Sequence, residues 1–267
     1  MLSFLIKAKN FILDILFPPI CLNCKGGLTR NEYLCDTCYN SIRLNTSLFC
    51  PVCRLRLADF VSPKADFVSP KARFVQPKAE NKKICSHTNY LLGAAGNYDD
   101  PVIRNLIHYF KYNSFENLTP ILGEILLKYI KNCLPAGRHD KLKIENFVIV
   151  PIPLHRVKER QRGFNQSKLL AEYIAQKISA PQNLKIVDAL KRIKNTKPQA
   201  QCKNNESRTE NIKDCFKIKD LAIESIKNKN ILLIDDVFTT GSTINEAVKI
   251  LKQNGCRRII ALVLAKA

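Results

Sequence analysis

An apolar run that ends in two acids and then a turn of small residues lies between Ile231 and Ala247 and reads ILLIDDVFTTGSTINEA. The apolar part is typical of a buried strand, and the residues after the turn have the periodicity of an amphipathic helix. Thr243 and Glu246 have the spacing of a capping box at the start of that helix. A strand, a turn and a helix in this order predict an α/β domain with a mainly parallel sheet.

The turn itself is suited to binding a phosphate. Its small side chains let backbone N–H groups curve around an anion, and the positive end of the following helix favours negative charge. Asp235 and Asp236 stand at the carboxyl end of the strand, where open α/β sheets bind ligands and where both acids can accept hydrogen bonds from adjacent ribose hydroxyls. An ordinary βα turn with an acidic strand end is the alternative for each piece taken alone. The predicted phosphate-binding residues are Thr239, Thr240, Gly241, Ser242 and Thr243.

Apolar strands alternate with amphipathic helices from about Tyr90 to the C-terminus. The periodicity predicts a single α/β domain over residues 93–267. The predicted helices are Leu106 to Tyr112, Leu118 to Cys133, Phe164 to Ile178 and Ile244 to Asn254, and the predicted strands are Asn146 to Pro151, Asn230 to Asp235 and Ile259 to Leu264.

Two C-x2-C pairs near the N-terminus have the spacing of a zinc site. A tight knuckle turns both sulfurs of each pair toward one ion, and four thiolates satisfy the tetrahedral preference of zinc in a closed structural site. A disulfide framework would need an oxidising compartment, and a redox C-x-x-C motif normally follows a strand at a helix start. We therefore predict that structural zinc folds a small docking module here. The predicted ligands are Cys21, Cys24, Cys35 and Cys38.

A second zinc site could be formed by Cys50, Cys53, Cys85 and His87, although the last two are separated from the first two by a repeated segment. That segment reads FVSPKA, FVSPKA and FVQPKA, and the Pro in each unit interrupts regular pairing. We interpret it as an inserted loop. The predicted boundaries are 1–20 for an N-terminal amphipathic helix, 21–57 for the cysteine module, 58–83 for the insert and 84–92 for the end of the module.

The formal net charge is +20, which favours anionic partners such as phosphorylated metabolites or nucleic acid. Tyr109, Phe110, Tyr112 and Phe115 lie beside Lys111, a mix that could stack single-stranded bases but that helical core packing also explains. The first twenty residues lack a signal-peptide cleavage pattern and a continuous apolar run. We expect a cytoplasmic protein without stable membrane insertion.

Several motifs together resemble the ComF family of the type I phosphoribosyltransferase superfamily. They are DDVFTTGST, the pairs CLNC, CDTC and CPVC, the run VPIPLH (150–155), the block RQRGFNQSKLLA (160–171), and Lys197, Pro198 and Gln199 followed by Arg208, Asn211 and Phe216. The chain departs from the family in the repeated insert and at Cys85 and His87, where a further C-x2-C is more usual. The resemblance implies a type I phosphoribosyltransferase fold, a parallel sheet flanked by helices, with an N-terminal zinc-ribbon-like module.

The resemblance also implies that the ligand is phosphoribosyl diphosphate with Mg2+. Asp235, Asp236 and Arg208 would then be the catalytic residues, and Pro151, Ile152, Arg160 and Arg162 would contact pyrophosphate. The expected function is phosphoribosyl transfer linked to DNA metabolism or DNA uptake. The alternatives are a non-catalytic accessory protein that binds single-stranded DNA and a DNA helicase-like partner, or a sensor of phosphoribosyl diphosphate.

Overall fold

The computed structural model describes residues 19–28, 33–53, 56–57, 89–112, 115–133, 147–182, 184–196 and 210–267. Most of the predicted N-terminal helix and the repeated insert lie outside these ranges. So do three residues with predicted roles, which are Cys85, His87 and Arg208.

The described part of the chain is an α/β fold. Its strands are β1 (Leu48–Phe49), β2 (Arg56–Leu57), β3 (Leu91–Asn97), β4 (Phe147–Pro151), β5 (Leu190–Arg192), β6 (Phe216–Ile218), β7 (Asn230–Ile234), β8 (Val237–Phe238) and β9 (Ile259–Lys266). Its helices are α1 (Asp36–Ser41), α2 (Pro101–Tyr112), α3 (Thr119–Cys133), α4 (Arg156–Arg162), α5 (Gln166–Gln182), α6 (Ile223–Ile226) and α7 (Ser242–Gln253), with short 3-10 turns at Glu116–Leu118 and Asp220–Ala222.

The main sheet has the order β2-β1-β3-β9-β7-β4, and β8 pairs with the end of β9. Strands β3, β9, β7 and β4 are parallel, with Leu233 opposite Val150 on one side and Ala261 on the other. Strands β1 and β2, from the cysteine-rich region, extend the sheet in the antiparallel sense. Strands β5 and β6 form a separate antiparallel ribbon. The predicted fold class, α/β with a mainly parallel sheet, is therefore confirmed.

Both faces of the parallel strands are buried, which explains why these strands are almost continuously apolar. On one face α2, α3 and α5 pack against β7 and β9, with Phe110 and Leu126 in that core. On the other face α7 and the β5–β6 ribbon cover the sheet through Val248 and Phe216. The carboxyl ends of β4 and β7 are left facing the loops that carry the predicted site.

Two of the differences between the predicted and the observed helix starts have a visible cause. Helix α2 begins at Pro101, earlier than the predicted Leu106, because the Asp100 carboxylate accepts hydrogen bonds from the amides of Val102 and Ile103 at 2.9 and 3.1 Å.

Helix α7 begins at Ser242 with Gly241 as its N-cap, which has no side chain to cap it, and the amide of Ser242 donates to Thr240 Oγ1 at 3.4 Å. The predicted capping box of Thr243 and Glu246 is wrong, because the Glu246 carboxylate instead accepts from the amide of Asp214 at 3.0 Å.

None of the helices in the described ranges has the length and apolar character that a membrane-spanning segment needs.

Candidate functional site

A cavity of about 310 Å³ lies at the carboxyl ends of β4 and β7. Parallel strands bring their carboxyl ends to one edge of a sheet, so residues distant in sequence meet there. The predicted acids Asp235 and Asp236 line the cavity, as do Thr239 and Thr243 from the turn. Its cationic lining consists of Lys111, Lys158, Arg162 and Arg192.

Asp235 is held by two hydrogen bonds to the same oxygen. Ser167 Oγ donates to Asp235 Oδ1 at 3.1 Å, and the amide of Asp236 donates to it at 2.9 Å. Burial and the neighbouring Asp236 carboxylate raise the pKa of Asp235 to about 7. This acid can therefore change its protonation state near neutral pH.

Asp236 forms an ion pair with a lysine from α2. Lys111 Nζ lies 2.9 Å from Asp236 Oδ1, and 19% of the Lys111 side chain and 13% of the Asp236 side chain are exposed. Burial acts to lower the pKa of Lys111, but the adjacent Asp236 and Asp235 carboxylates outweigh it and raise the pKa. The lysine is therefore charged.

The turn after β8 depends on Gly241. Its φ is +79°, and a Cβ at this position would lie 2.7 Å from ring atoms of Phe238. The left-handed conformation reverses the chain into α7, so that the first turn of the helix faces the cavity. The hydroxyls of Thr240 and Ser242 are 2.8 Å apart. Of the five predicted phosphate-binding residues, Thr239 and Thr243 are the two that line the cavity.

The predicted pyrophosphate residues fall into two groups. Ile152 and Arg162 line the cavity, and Arg162 Nη1 donates to Gln166 Oε1 at 3.1 Å. Pro151 is buried at the end of β4, and Arg160 is exposed on α4 and does not belong to the lining. The roles of Pro151 and Arg160 stay predictions.

Several cavity residues were not predicted as site residues, among them three that carry charged or hydroxyl groups. Lys111 lies on α2, Ser167 near the start of α5 and Arg192 at the end of β5. A signal for Lys111 is present in the sequence, since it continues the buried stripe of Ile103 and Ile107 at i+4 spacing. Arg192 Nη2 donates to Thr196 Oγ1 at 2.6 Å, a contact that no local pattern shows.

The first four cysteines form one cluster. The sulfur atoms of Cys21, Cys24, Cys35 and Cys38 all lie within 4.8 Å of one another, and those of Cys24 and Cys35 are 3.7 Å apart. Zinc–sulfur bonds of about 2.3 Å in a tetrahedron place sulfurs roughly 3.8 Å apart, so these side chains fit the ion. The predicted first site is supported by this geometry. Cys50 and Cys53 are described, but their predicted partners are not, so the second site stays a prediction.

The cysteine cluster contacts the helix that carries Lys111. Lys25 Nζ donates to the hydroxyl of Tyr109 at 2.9 Å. Asn105 Nδ2 donates to Asn23 Oδ1 at 3.0 Å, and Asn23 Nδ2 donates to Cys38 Sγ at 3.3 Å. Phe110 is fully buried, as core packing predicts.

Comparison with protein families gives two matches. Residues 165–267 match the phosphoribosyl transferase domain family, and residues 12–65 match the double zinc ribbon domain family. The first match contains the acids and the turn, and the second contains the four-cysteine cluster. Together with the cluster geometry, the second match supports structural zinc.

Individual relatives cover most of the chain. Competence protein F of Haemophilus influenzae is 31% identical over 172 residues, which is 64% of this chain and 71% of that protein. DNA utilization protein YhgH of Salmonella typhimurium is 26% identical over 243 residues, 91% of this chain and 94% of that protein. Competence protein ComFC of Bacillus subtilis is 24% identical over 230 residues, 85% of this chain and 81% of that protein.

Proposed function

This chain belongs to the competence protein F (ComF) family, and on that premise we propose that its cavity binds phosphoribosyl diphosphate together with Mg2+. The observation that carries the proposal is the meeting of two acids, a helix-start turn and several cations around one cavity. Asp235 and Asp236 accept from the ribose hydroxyls, and the turn that includes Thr239 and Thr243 receives the 5-phosphate.

The donor atoms of the cavity suit Mg2+. This ion prefers hard oxygen ligands and keeps much of its coordination for water and substrate phosphates. Asp235 is the protein ligand of choice, because Asp236 is already paired with Lys111. When bound, Mg2+ neutralises charge on the diphosphate.

The chemistry we propose is transfer of the phosphoribosyl group. A nucleophilic acceptor forms a bond to the anomeric carbon, and the bond from that carbon to the diphosphate oxygen breaks, with the electron pair leaving on pyrophosphate. The chain contributes by orienting the sugar and stabilising the leaving group through cations such as Arg162, rather than through a nucleophilic side chain. We assign Arg208 the same role at the leaving group, as the family resemblance implies.

The test is calorimetric titration of phosphoribosyl diphosphate with Mg2+ into the zinc-loaded protein. The variant Asp235→Asn plus Asp236→Asn keeps the shape of both side chains and removes their charge, and we expect it to lose binding. Glu224→Gln is the matched control, since Glu224 is an 84% exposed acid that pairs only weakly with Lys227 at 3.7 Å. Binding that is equal in all three proteins would refute the proposal.

A second candidate function is the handling of single-stranded DNA, in which the same cavity binds its ligand without turnover. It is favoured by the net charge of +20 and by the names of the relatives, which refer to competence and DNA utilization. A cytoplasmic site of action suits this candidate function, because cysteines that bind zinc must stay reduced.

Fluorescence anisotropy of a labelled oligonucleotide tests this second candidate. Binding through phosphates weakens steeply with salt, and the slope of log affinity against log salt gives the number of phosphates contacted. We expect measurable affinity at low salt and a negative slope. Affinity that does not depend on salt, or no affinity at all, would exclude the DNA-binding candidate. An assay for pyrophosphate released from phosphoribosyl diphosphate distinguishes an enzyme from a non-catalytic accessory protein or a sensor.

A further inference from the structure

Lys111 is a cavity residue that the sequence marks only as part of the aromatic and basic mix around it. Its ammonium is 2.9 Å from Asp236 Oδ1, and 81% of its side chain is shielded, since 19% is exposed. A charge in such a place is costly unless it is paired and hydrogen-bonded. Solubility does not explain a lysine here, so the position calls for a role inside the cavity.

The helix delivers this lysine to the cavity. Ile103 and Ile107 are buried on the inner face of α2, and Lys111 follows them at i+4 on the same face. The side chain at that position must point toward the protein interior, where it reaches the end of β7. The placement of the ammonium is therefore a consequence of the same stripe that packs the helix.

The charges around the cavity are arranged for an anion. Lys111, Arg162 and Arg192 come from three separate elements and face the same space beside Asp235 and Asp236. Burial and, in addition, the Arg162 charge lower the pKa of Arg192. The same two effects act on Lys111, whose pKa is nevertheless raised because the Asp236 and Asp235 carboxylates outweigh them. An anion with several oxygens would relieve the repulsion among these cations.

We propose that Lys111 binds the diphosphate of the ligand. In the free protein the lysine pairs with Asp236, and in the complex its ammonium bridges Asp236 and a diphosphate oxygen. A lysine ammonium has three N–H donors, so the bond to Asp236 leaves donors for the ligand. This inference rests on the proposed function and deepens it, because it names a binding residue from α2, outside the matched phosphoribosyl transferase region of residues 165–267.

The experiment titrates three ligands into the zinc-loaded full chain, namely phosphoribosyl diphosphate with Mg2+, pyrophosphate with Mg2+, and ribose 5-phosphate. The proteins are wild type, Lys111→Met, Lys111→Gln and Lys111→Arg. Lys227→Met is the control, because Lys227 is a 57% exposed lysine in a surface pair. Thermal unfolding checks that each variant is folded, and the Gln and Arg variants serve if the Met variant is not.

We expect the Met and Gln variants to bind the two diphosphate ligands roughly tenfold to a hundredfold more weakly, the loss of one charge-assisted hydrogen bond. Ribose 5-phosphate should change by less than about threefold in affinity, and Lys111→Arg should recover part of the loss because it keeps the charge.

Two results would overturn the direct contact. One is unchanged diphosphate affinity in a folded Lys111→Met or Lys111→Gln protein. The other is an equal loss of affinity for all three ligands in Lys111→Met, together with normal affinity in Lys111→Gln. Rescue by a neutral hydrogen-bond donor would show that Lys111 acts only by holding Asp236. If the wild-type protein binds none of the three ligands, the proposed function and this inference are both rejected. If the wild type binds them and the Lys111 variants bind them equally well, the inference alone is rejected.

Discussion

The side-chain amide of Asn105 donates a 3.0 Å hydrogen bond to the side-chain oxygen of Asn23, and this contact joins α2 to the cysteine cluster. Asn23 in turn donates to Cys38 Sγ at 3.3 Å. Two hydrogen bonds thus connect a sulfur of the cluster to the helix that ends in Lys111 and Tyr112. Because a helix moves as a rigid element, the state of the cluster can influence the wall of the cavity.

Removal of zinc should therefore weaken binding at the cavity. Without the ion nothing holds the four sulfurs together, and the knuckle that holds Asn23 loses its shape. We expect chelation to lower both the melting temperature and the affinity for pyrophosphate with Mg2+. Asn105→Ala breaks the link without touching a cysteine, so it should weaken binding by a few-fold, on the order of one neutral hydrogen bond. Full affinity in both the chelated protein and Asn105→Ala would contradict the coupling.

Asp235 should make folding stability depend on pH. Its pKa is raised from 3.8 in the unfolded chain to about 7 in the folded protein, so between these values the folded state binds more protons than the unfolded state. The free energy of unfolding should then fall as pH rises from about 4 to about 7, and the full loss of stability should be present above that range. The predicted size is on the order of a few kcal/mol.

The measurement is urea unfolding of wild type and Asp235→Asn across this pH range. The asparagine keeps an oxygen that can accept from Ser167 and from the amide of Asp236, but it does not titrate. We expect the variant to gain stability relative to wild type as pH rises, whereas the surface control Glu224→Gln should run parallel to wild type. A difference between Asp235→Asn and wild type that does not vary with pH would show that the acid is not perturbed.

Gly241 and Gly163 allow the turn after β8 to be tested with a matched pair. Both glycines have positive φ, +79° and +84°, so alanine is strained by a similar amount, roughly 1 kcal/mol, at each. They differ in space, because a Cβ at Gly241 meets the Phe238 ring at 2.7 Å while one at Gly163 has nothing within 4 Å. Gly241→Ala should lower the melting temperature more and should weaken ribose 5-phosphate binding, with Gly163→Ala as the baseline. Similar losses in both variants would mean that the contact with Phe238 is not limiting.

The part of the site that the sequence predicts is the part that is contiguous in the chain. Asp235, Asp236 and the turn follow one another, and the order of strand, acids, small residues and helix has a physical meaning that can be recognised without a structure. The cysteine cluster is predicted for the same reason, since its spacing alone brings four sulfurs together.

The missing part of the site comes from elements that meet only through tertiary packing. Lys111, Ser167 and Arg192 lie on α2, α5 and β5, and no local pattern says that these three elements face one cavity. The failed capping box has a related cause. The spacing of Thr243 and Glu246 is correct, but the Glu246 carboxylate accepts a hydrogen bond from the amide of Asp214, which comes from a distant part of the chain.

Arg192 provides a prediction in which stability and binding move in different directions. Its guanidinium donates to Thr196 Oγ1 at 2.6 Å and lies over the Phe216 ring, with 5.4 Å from Cζ to the ring centroid, yet none of the described carboxylates forms a salt bridge with it. Burial lowers the pKa of Arg192, which shows that the charged form is disfavoured where it stands. A partly buried cation that forms no salt bridge costs stability, and it is retained when a ligand needs it.

Arg192→Met fills much of the same space without charge. We expect its melting temperature to equal or exceed that of wild type, while its affinity for pyrophosphate with Mg2+ falls by about tenfold or more, the loss of a charged hydrogen-bond donor. Thr196→Val keeps the charge and removes only the hydroxyl that orients the guanidinium, so its loss of affinity should be smaller. An Arg192→Met protein that is less stable but binds pyrophosphate normally would assign Arg192 to the packing of the β5–β6 ribbon. A ligand-binding role predicts the opposite, because the substitution would then weaken pyrophosphate binding without destabilising the free protein.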